Sequence, residues 1–191
     1  PLNSLKNRAQ KNMDLLEALK KKEKKIVDIW VERTLDSYLS ADFFKQSTNQ
    51  FDNPVGANIR AGLTEIFQLL LAEADQQDFA EPLDQIIRIR AVQEFTPAQA
   101  VAPLFELKWV VKQVLSADEN CRPLLSELAP FDRDVDRVIL QAFDMYMNCR
   151  DRLYQARIRE LKSGSYILTD SSCASAAVRE NLQDIASLAK K

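Results

Sequence analysis

The sequence predicts an all-α protein, a single bundle of about six helices, and three observations carry that prediction. Apolar residues recur at intervals of three and four along most of the chain, with no strand-like alternation. Glycine is scarce, 3 in 191 residues, against a usual share of about 7%. One apolar stripe, Val135 to Ala156, asks for a helix well beyond the common three or four turns. Hydrophobic residues at 46% and charged residues at 28% allow a buried core, and the length suits one domain with a tail.

Composition also excludes chemistry. The chain contains no histidine, so it has no histidine base, no Ser-His-Asp triad, no His-ligated haem and no histidine phosphorelay. Cys121, Cys149 and Cys173 are widely spaced, without a C-x-x-C pair, and signal neither a zinc site nor a redox couple. No cofactor, metal or catalytic residue is therefore expected. A net charge of −2 gives no basic excess for nucleic acid. The run Lys20 to Lys25 reads as the solvated face of a helix rather than a patch for an acidic partner or membrane. No apolar run nears the length of a membrane span, so no integral membrane segment is expected, and the plain reading is a reduced cytoplasmic protein.

The first helix lies within Met13 to Tyr38, on Leu16, Leu19, Ile26, Ile29 and Trp30. A loop follows, from about Ser40 and again over Asn49 to Gly56. Within it Pro54 holds Asn53 out of the helical region, and Gly56 is a candidate for unusual backbone angles. Ile59, Leu63, Ile66, Phe67 and Leu70 mark the second helix, with Gly62 read as a point of close helix approach. A short helix over Leu83 to Phe95 places Leu83, Ile86, Ile87 and Ala91 on one face, with Arg90 and Glu94 in the middle of it. Those two are spaced to pair, and two readings stand: an anion or signal-ligand site that takes in Arg88, Arg90, Gln93 and Glu94, or, more plainly, a structural ion pair.

Thr96, Pro97 and Gln99 form a capping box that opens the next helix, which runs through Leu115 and should kink at Pro103. Leu124, Leu125 and Leu128 make a short segment that Pro130 ends. The long helix is expected from about Asp134 to Lys162, with Cys149 as core filler and Asp132, Asp134 and Asp136 as negative charge at its start. After Ser163-Gly164-Ser165, Val178, Leu182, Ile185 and Leu188 form the thin stripe of a tail helix. The division is thus a helical domain over 8–162 and a tail over 163–191.

Three blocks resemble a known family. They are F-x-N-P-V-G-x-x-I-x-x-G-L from Phe51, L-D-x-I-I-R-I-R-A-V-Q-x-F-x-P-x-Q-A-V from Leu83, and F-D-x-x-V-D from Phe131 with A-F-D-x-Y-M-x-C-R from Ala142. Together they look like the N-terminal sensory domain of RsbR-type stressosome co-antagonists, in the RsbRD-like branch. Asn53, Pro54, Gly56, Thr96, Pro97, Gln99, Asp144, Tyr146 and Arg150 are the structural positions of that motif. The resemblance implies a dimeric, globin-like fold without haem, set before a STAS domain in an assembly that holds a switch kinase. Since the chain ends at Lys191, too early for a STAS domain after residue 162, a stand-alone domain is expected.

The resulting expectation is a non-enzymatic sensory domain that forms a homodimer, relays a signal along its long helix and meets a STAS-domain or switch-kinase partner in stress signalling. The alternative is a scaffold or accessory subunit that docks on another protein or a redox complex without sensing.

Overall fold

A computed structural model describes residues 14–38, 53–93 and 95–163. Those residues form α1 (Leu15–Asp36), α2 (Pro54–Leu71), α3 (Ala80–Val92), α4 (Pro97–Ser116), a 3-10 helix (Arg122–Glu127) and α5 (Ala129–Ser163), with no strand among them. The all-α expectation holds. By compactness the chain divides into residues 1–150 and 151–191. The first unit holds the core, and the described part of the second is the last stretch of α5.

α1 buries Leu19, Ile26, Trp30 and Val31 against α2 and α4. The face with Lys20, Lys21, Lys24 and Lys25 is exposed, as a solvated face should be. Trp30 is held on both counts that matter for an indole: its rings are buried, and Nε1 donates to the Pro103 carbonyl at 2.7 Å.

α2 starts because Pro54 fits the first helical turn and Asn53 caps it, its Oδ1 accepting from the Gly56 amide at 2.8 Å. Gly56 therefore lies in the helix, not in a loop, and its backbone is not left-handed. A Cβ there would stand 2.3 Å from Asn53 Nδ2, so glycine leaves room for the cap. Gly62 is the close approach the sequence suggested: a Cβ would meet Ile86 Cγ1 at 3.0 Å and the Pro82 carbonyl oxygen at 3.1 Å. That contact seats α3 on α2.

Further boundaries differ from the sequence reading. α3 begins at Ala80 and ends at Val92, so Phe95 lies outside it. Pro130 does not end a helix but sits in the first turn of α5, where its missing amide costs nothing. α5 is 35 residues long, about 52 Å at 1.5 Å per residue. Its core face, Val135, Val138, Ile139, Ala142 and Tyr146, is buried, while Leu153 on the same expected stripe is exposed. Lys108–Asp136 at 2.6 Å and Lys112–Asp132 at 3.0 Å tie α4 to the start of α5. The tail expected over 174–189, and Cys173 with it, lie outside the described residues.

Candidate functional site

Arg90 is the centre. Its side chain is 0% exposed, one of the largest fully buried groups in the chain. A buried guanidinium needs acceptors and a favourable electrostatic surface. Its two terminal nitrogens and its planar faces have both without a described carboxylate, while Nε is buried with no acceptor among the described residues. Nη1 donates to Ser37 Oγ at 3.1 Å and Nη2 to the Gln99 carbonyl at 2.9 Å. The cation lies 4.2 Å from the Phe95 ring centroid and 4.8 Å from that of Tyr38, and the two rings meet edge to face at 5.6 Å. Such contacts strengthen when desolvated. Burial pushes the Tyr38 hydroxyl above its ordinary pKa, with the Arg90 charge pulling the other way.

The Gln99 carbonyl is available for a reason written in the sequence. In a helix it would accept from the amide four residues on, and that residue is Pro103, which has none. Proline inside α4 thus leaves a carbonyl without its helical donor, and Arg90 fills it. The helix passes through Pro103 and runs to Ser116.

α5 closes the cluster. The Tyr146 hydroxyl donates to the Phe95 carbonyl, and Arg150 Nη1 donates to the Ala91 carbonyl at 3.1 Å. The short junction between α3 and α4 is therefore gripped from one side by Arg90 and from the other by α5. The capping box fixes the exit of that junction: Thr96 Oγ1 accepts from the Gln99 amide at 3.3 Å, and Gln99 Oε1 accepts from the Thr96 amide at 2.9 Å.

The other expected site residues do not all join. Arg88 faces solvent and pairs with Asp84 at 2.6 Å. Gln93 follows α3, its Oε1 enclosed without a donor. Glu94, expected to pair with Arg90, lies outside the described residues. Asp144 is exposed. Ser37, Tyr38 and Phe95 were missed by sequence reasoning, although two aromatics flanking a core arginine are a readable signal. Among the described residues no group of three acidic, His or Cys side chains is placed to hold a metal ion, and no described helix is long and apolar enough to cross a membrane.

A second surface lies on α5. Leu140, Phe143 and Met147 are 66%, 40% and 45% exposed, on the side of the helix away from its core face. In residues 151–163, Tyr154, Ile158 and Leu161 are exposed as well, and they continue the same three-and-four spacing.

The family model described as the RsbT co-antagonist protein rsbRD N-terminal domain matches residues 24–161, and the chain belongs to that family. An uncharacterized protein of Archaeoglobus fulgidus is 26% identical over 140 residues, covering 72% of this chain and 83% of that one. No solved structure matches.

Proposed function

We propose that this member of the rsbRD N-terminal domain family is a non-enzymatic regulatory and sensory domain that works as a two-fold homodimer through α5. The family is one of regulatory domains, and the Arg90 cluster offers packing and capping rather than a nucleophile with a base. The observation that carries the reading is the exposed apolar stripe Leu140, Phe143 and Met147 on a helix whose other face is already buried. A helix apolar on two faces needs a second partner for the face its own bundle leaves open. A two-fold contact between copies is the commonest way to supply it.

In this reading the Arg90 cluster is a structural keystone, and a signal moves α5 against the α3–α4 junction through Tyr146 and Arg150. The partner is a protein of the stress-signalling assembly, a STAS-domain protein or the RsbT-type switch kinase that the family's name points to. Light scattering at micromolar concentration tests the dimer. A mass near twice 21.8 kDa is expected; a mass near 21.8 kDa that does not change on concentration overturns it.

A further inference from the structure

The last turns of α5 hold no buried residue. Of residues 151–162 all but Ala156 are exposed, and they belong with the tail to the second unit, 151–191. Helices in proteins draw their stability chiefly from packing an amphipathic face, and here such a face stands open. Tyr154, Ile158 and Leu161 are 56%, 42% and 42% exposed and follow one another by four and three. At about 100° per residue Arg157 flanks them on one side and Lys162 on the other. Four bases, Arg152, Arg157, Arg159 and Lys162, stand against two acids, Asp151 and Glu160. Arg157 pairs with Glu160 at 3.2 Å, whereas Arg152, Arg159 and Lys162 have no acidic partner among the described residues.

Two covers suit an apolar face of this kind: the same stretch of a second copy, or another segment of the same chain. Charge separates them. A second copy would bring the same excess of bases against these bases. The tail brings the opposite sign. Residues 164–189 hold three acids, Asp170, Glu180 and Asp184, against one base, Arg179, and Lys190 and Lys191 come only after the last apolar position, Leu188. The tail also brings the matching stripe, since Val178, Leu182, Ile185 and Leu188 advance by four and three as the α5 face does. Sixteen residues of helix over 174–189 would span about 24 Å, against about 20 Å for 151–163. Ten residues, 164–173, are enough to turn the chain back between them, and a loop so short closes at little entropic cost.

We propose that residues 174–189 dock as an antiparallel helix on the Tyr154, Ile158 and Leu161 face of the same chain. With Val178 level with Leu161, Leu182 comes beside Ile158 and Ile185 beside Tyr154, because both stripes step by the same intervals. Glu180 then comes level with Arg159, within a turn of Lys162. The tail supplies the acids that this end of α5 lacks, and each helix covers an apolar face that neither can bury alone. The proposal stands apart from the dimer reading, which uses Leu140, Phe143 and Met147. A docked tail closes the 151–163 part of the stripe to other proteins, so a partner that needs it must first displace the tail.

Disulfide trapping in the full chain tests this. Tyr154→Cys and Ile185→Cys are combined with Cys149→Ser and Cys173→Ser, and peptide mass spectrometry follows the link under mild oxidation. A link within one chain should form at least about ten-fold faster than in a control that carries Arg152→Cys, on the opposite face of α5, in place of Tyr154→Cys. A link no faster than the control, or one formed only between chains, overturns the proposal. Hydrogen exchange on the parent chain is the second measurement, independent of how well the cysteine variants fold. A lone helix of this length is marginal in water, so residues 174–189 should exchange slowly only when covered. Leu182→Glu should speed exchange by about ten-fold or more over both 174–189 and 151–163, leaving peptides of α2 and α4 unchanged. Unprotected exchange over 174–189 in the parent, or an unchanged 151–163 in Leu182→Glu, also overturns it. Light scattering reads the dimer separately: a dimer without the within-chain link removes the tail reading alone, and a monomer with that link removes the dimer reading alone.

Discussion

Arg90 and Pro103 behave as one unit, and that coupling can be measured. Arg90→Met removes two hydrogen bonds and two ring contacts, and it leaves the Gln99 carbonyl, already freed by Pro103, without its donor. Because no described carboxylate is orphaned and a buried charge is also removed, the expected cost is about 1–3 kcal/mol, below the roughly 3–5 kcal/mol of a broken buried ion pair. Pro103→Ala restores an amide that can reach the Gln99 carbonyl. The double variant should therefore lose less stability than the sum of the singles, by about 1 kcal/mol. Urea unfolding of the four chains checks this; strict additivity would show that the carbonyl is not shared. Cys121 gives a second residue-scale outcome. Its thiol is fully buried, and burial raises its pKa, with the nearby Asp118 carboxylate adding to the effect. The thiolate is the reactive form, so native Cys121 should resist iodoacetamide at neutral pH and label only on unfolding, a difference that mass spectrometry resolves.

At the scale of elements, each helix is positioned by a small number of replaceable contacts. Gly62→Ala would gain up to about 1 kcal/mol of helix propensity. It would also press a methyl group on Ile86 and on the Pro82 carbonyl, which is backbone and cannot step aside. The clash should win, giving a net loss of about 1 kcal/mol or more in thermal or urea unfolding. Thr96→Ala should cost about 1 kcal/mol by opening the capping box that sets the start of α4. The Thr96 cap and the Gly62 approach were legible in sequence because caps and stripes are local: Thr96-Pro97 and the apolar intervals each declare themselves within one or two turns, whereas Asn53-Pro54 reads as a turn and the structure makes it the start of α2. What was not legible depends on pairs distant in the chain. Nothing local says that the Arg90 cation would rest between Tyr38 and Phe95, or that it would complete a carbonyl exposed by Pro103. The pairing expected between Arg90 and Glu94 lies outside the described residues. Periodicity did hold the second α5 face, Leu140, Phe143 and Met147, but the stronger stripe from Val135 masked it.

For the whole molecule the decisive question is what covers that second face. The fold uses α5 twice. Val135, Val138, Ile139, Ala142 and Tyr146 complete the core, and Tyr146 and Arg150 hold the α3–α4 junction. Leu140, Phe143 and Met147 contribute nothing to that core and remain exposed. If they meet their counterparts on a second copy, a charge introduced there should separate the copies without touching the bundle. Met147→Glu is the clearest choice, because Met147 is 45% exposed and makes no polar contact that the substitution would break. Truncating one central apolar anchor of an interface costs about 2 kcal/mol, a factor of about 30 in Kd, and two facing carboxylates add repulsion. The variant should therefore keep the helical circular dichroism and unfolding midpoint of the parent bundle, while its light-scattering mass falls toward 21.8 kDa. A control at Asp144, also exposed on α5, should leave the mass unchanged when replaced by Asn. A Met147→Glu chain that stays dimeric would place the seam elsewhere. A chain that unfolds would mean that this face belongs to the core after all. Only the first outcome, an intact monomer, lets α5 serve both as the spine of one bundle and as the joint between two.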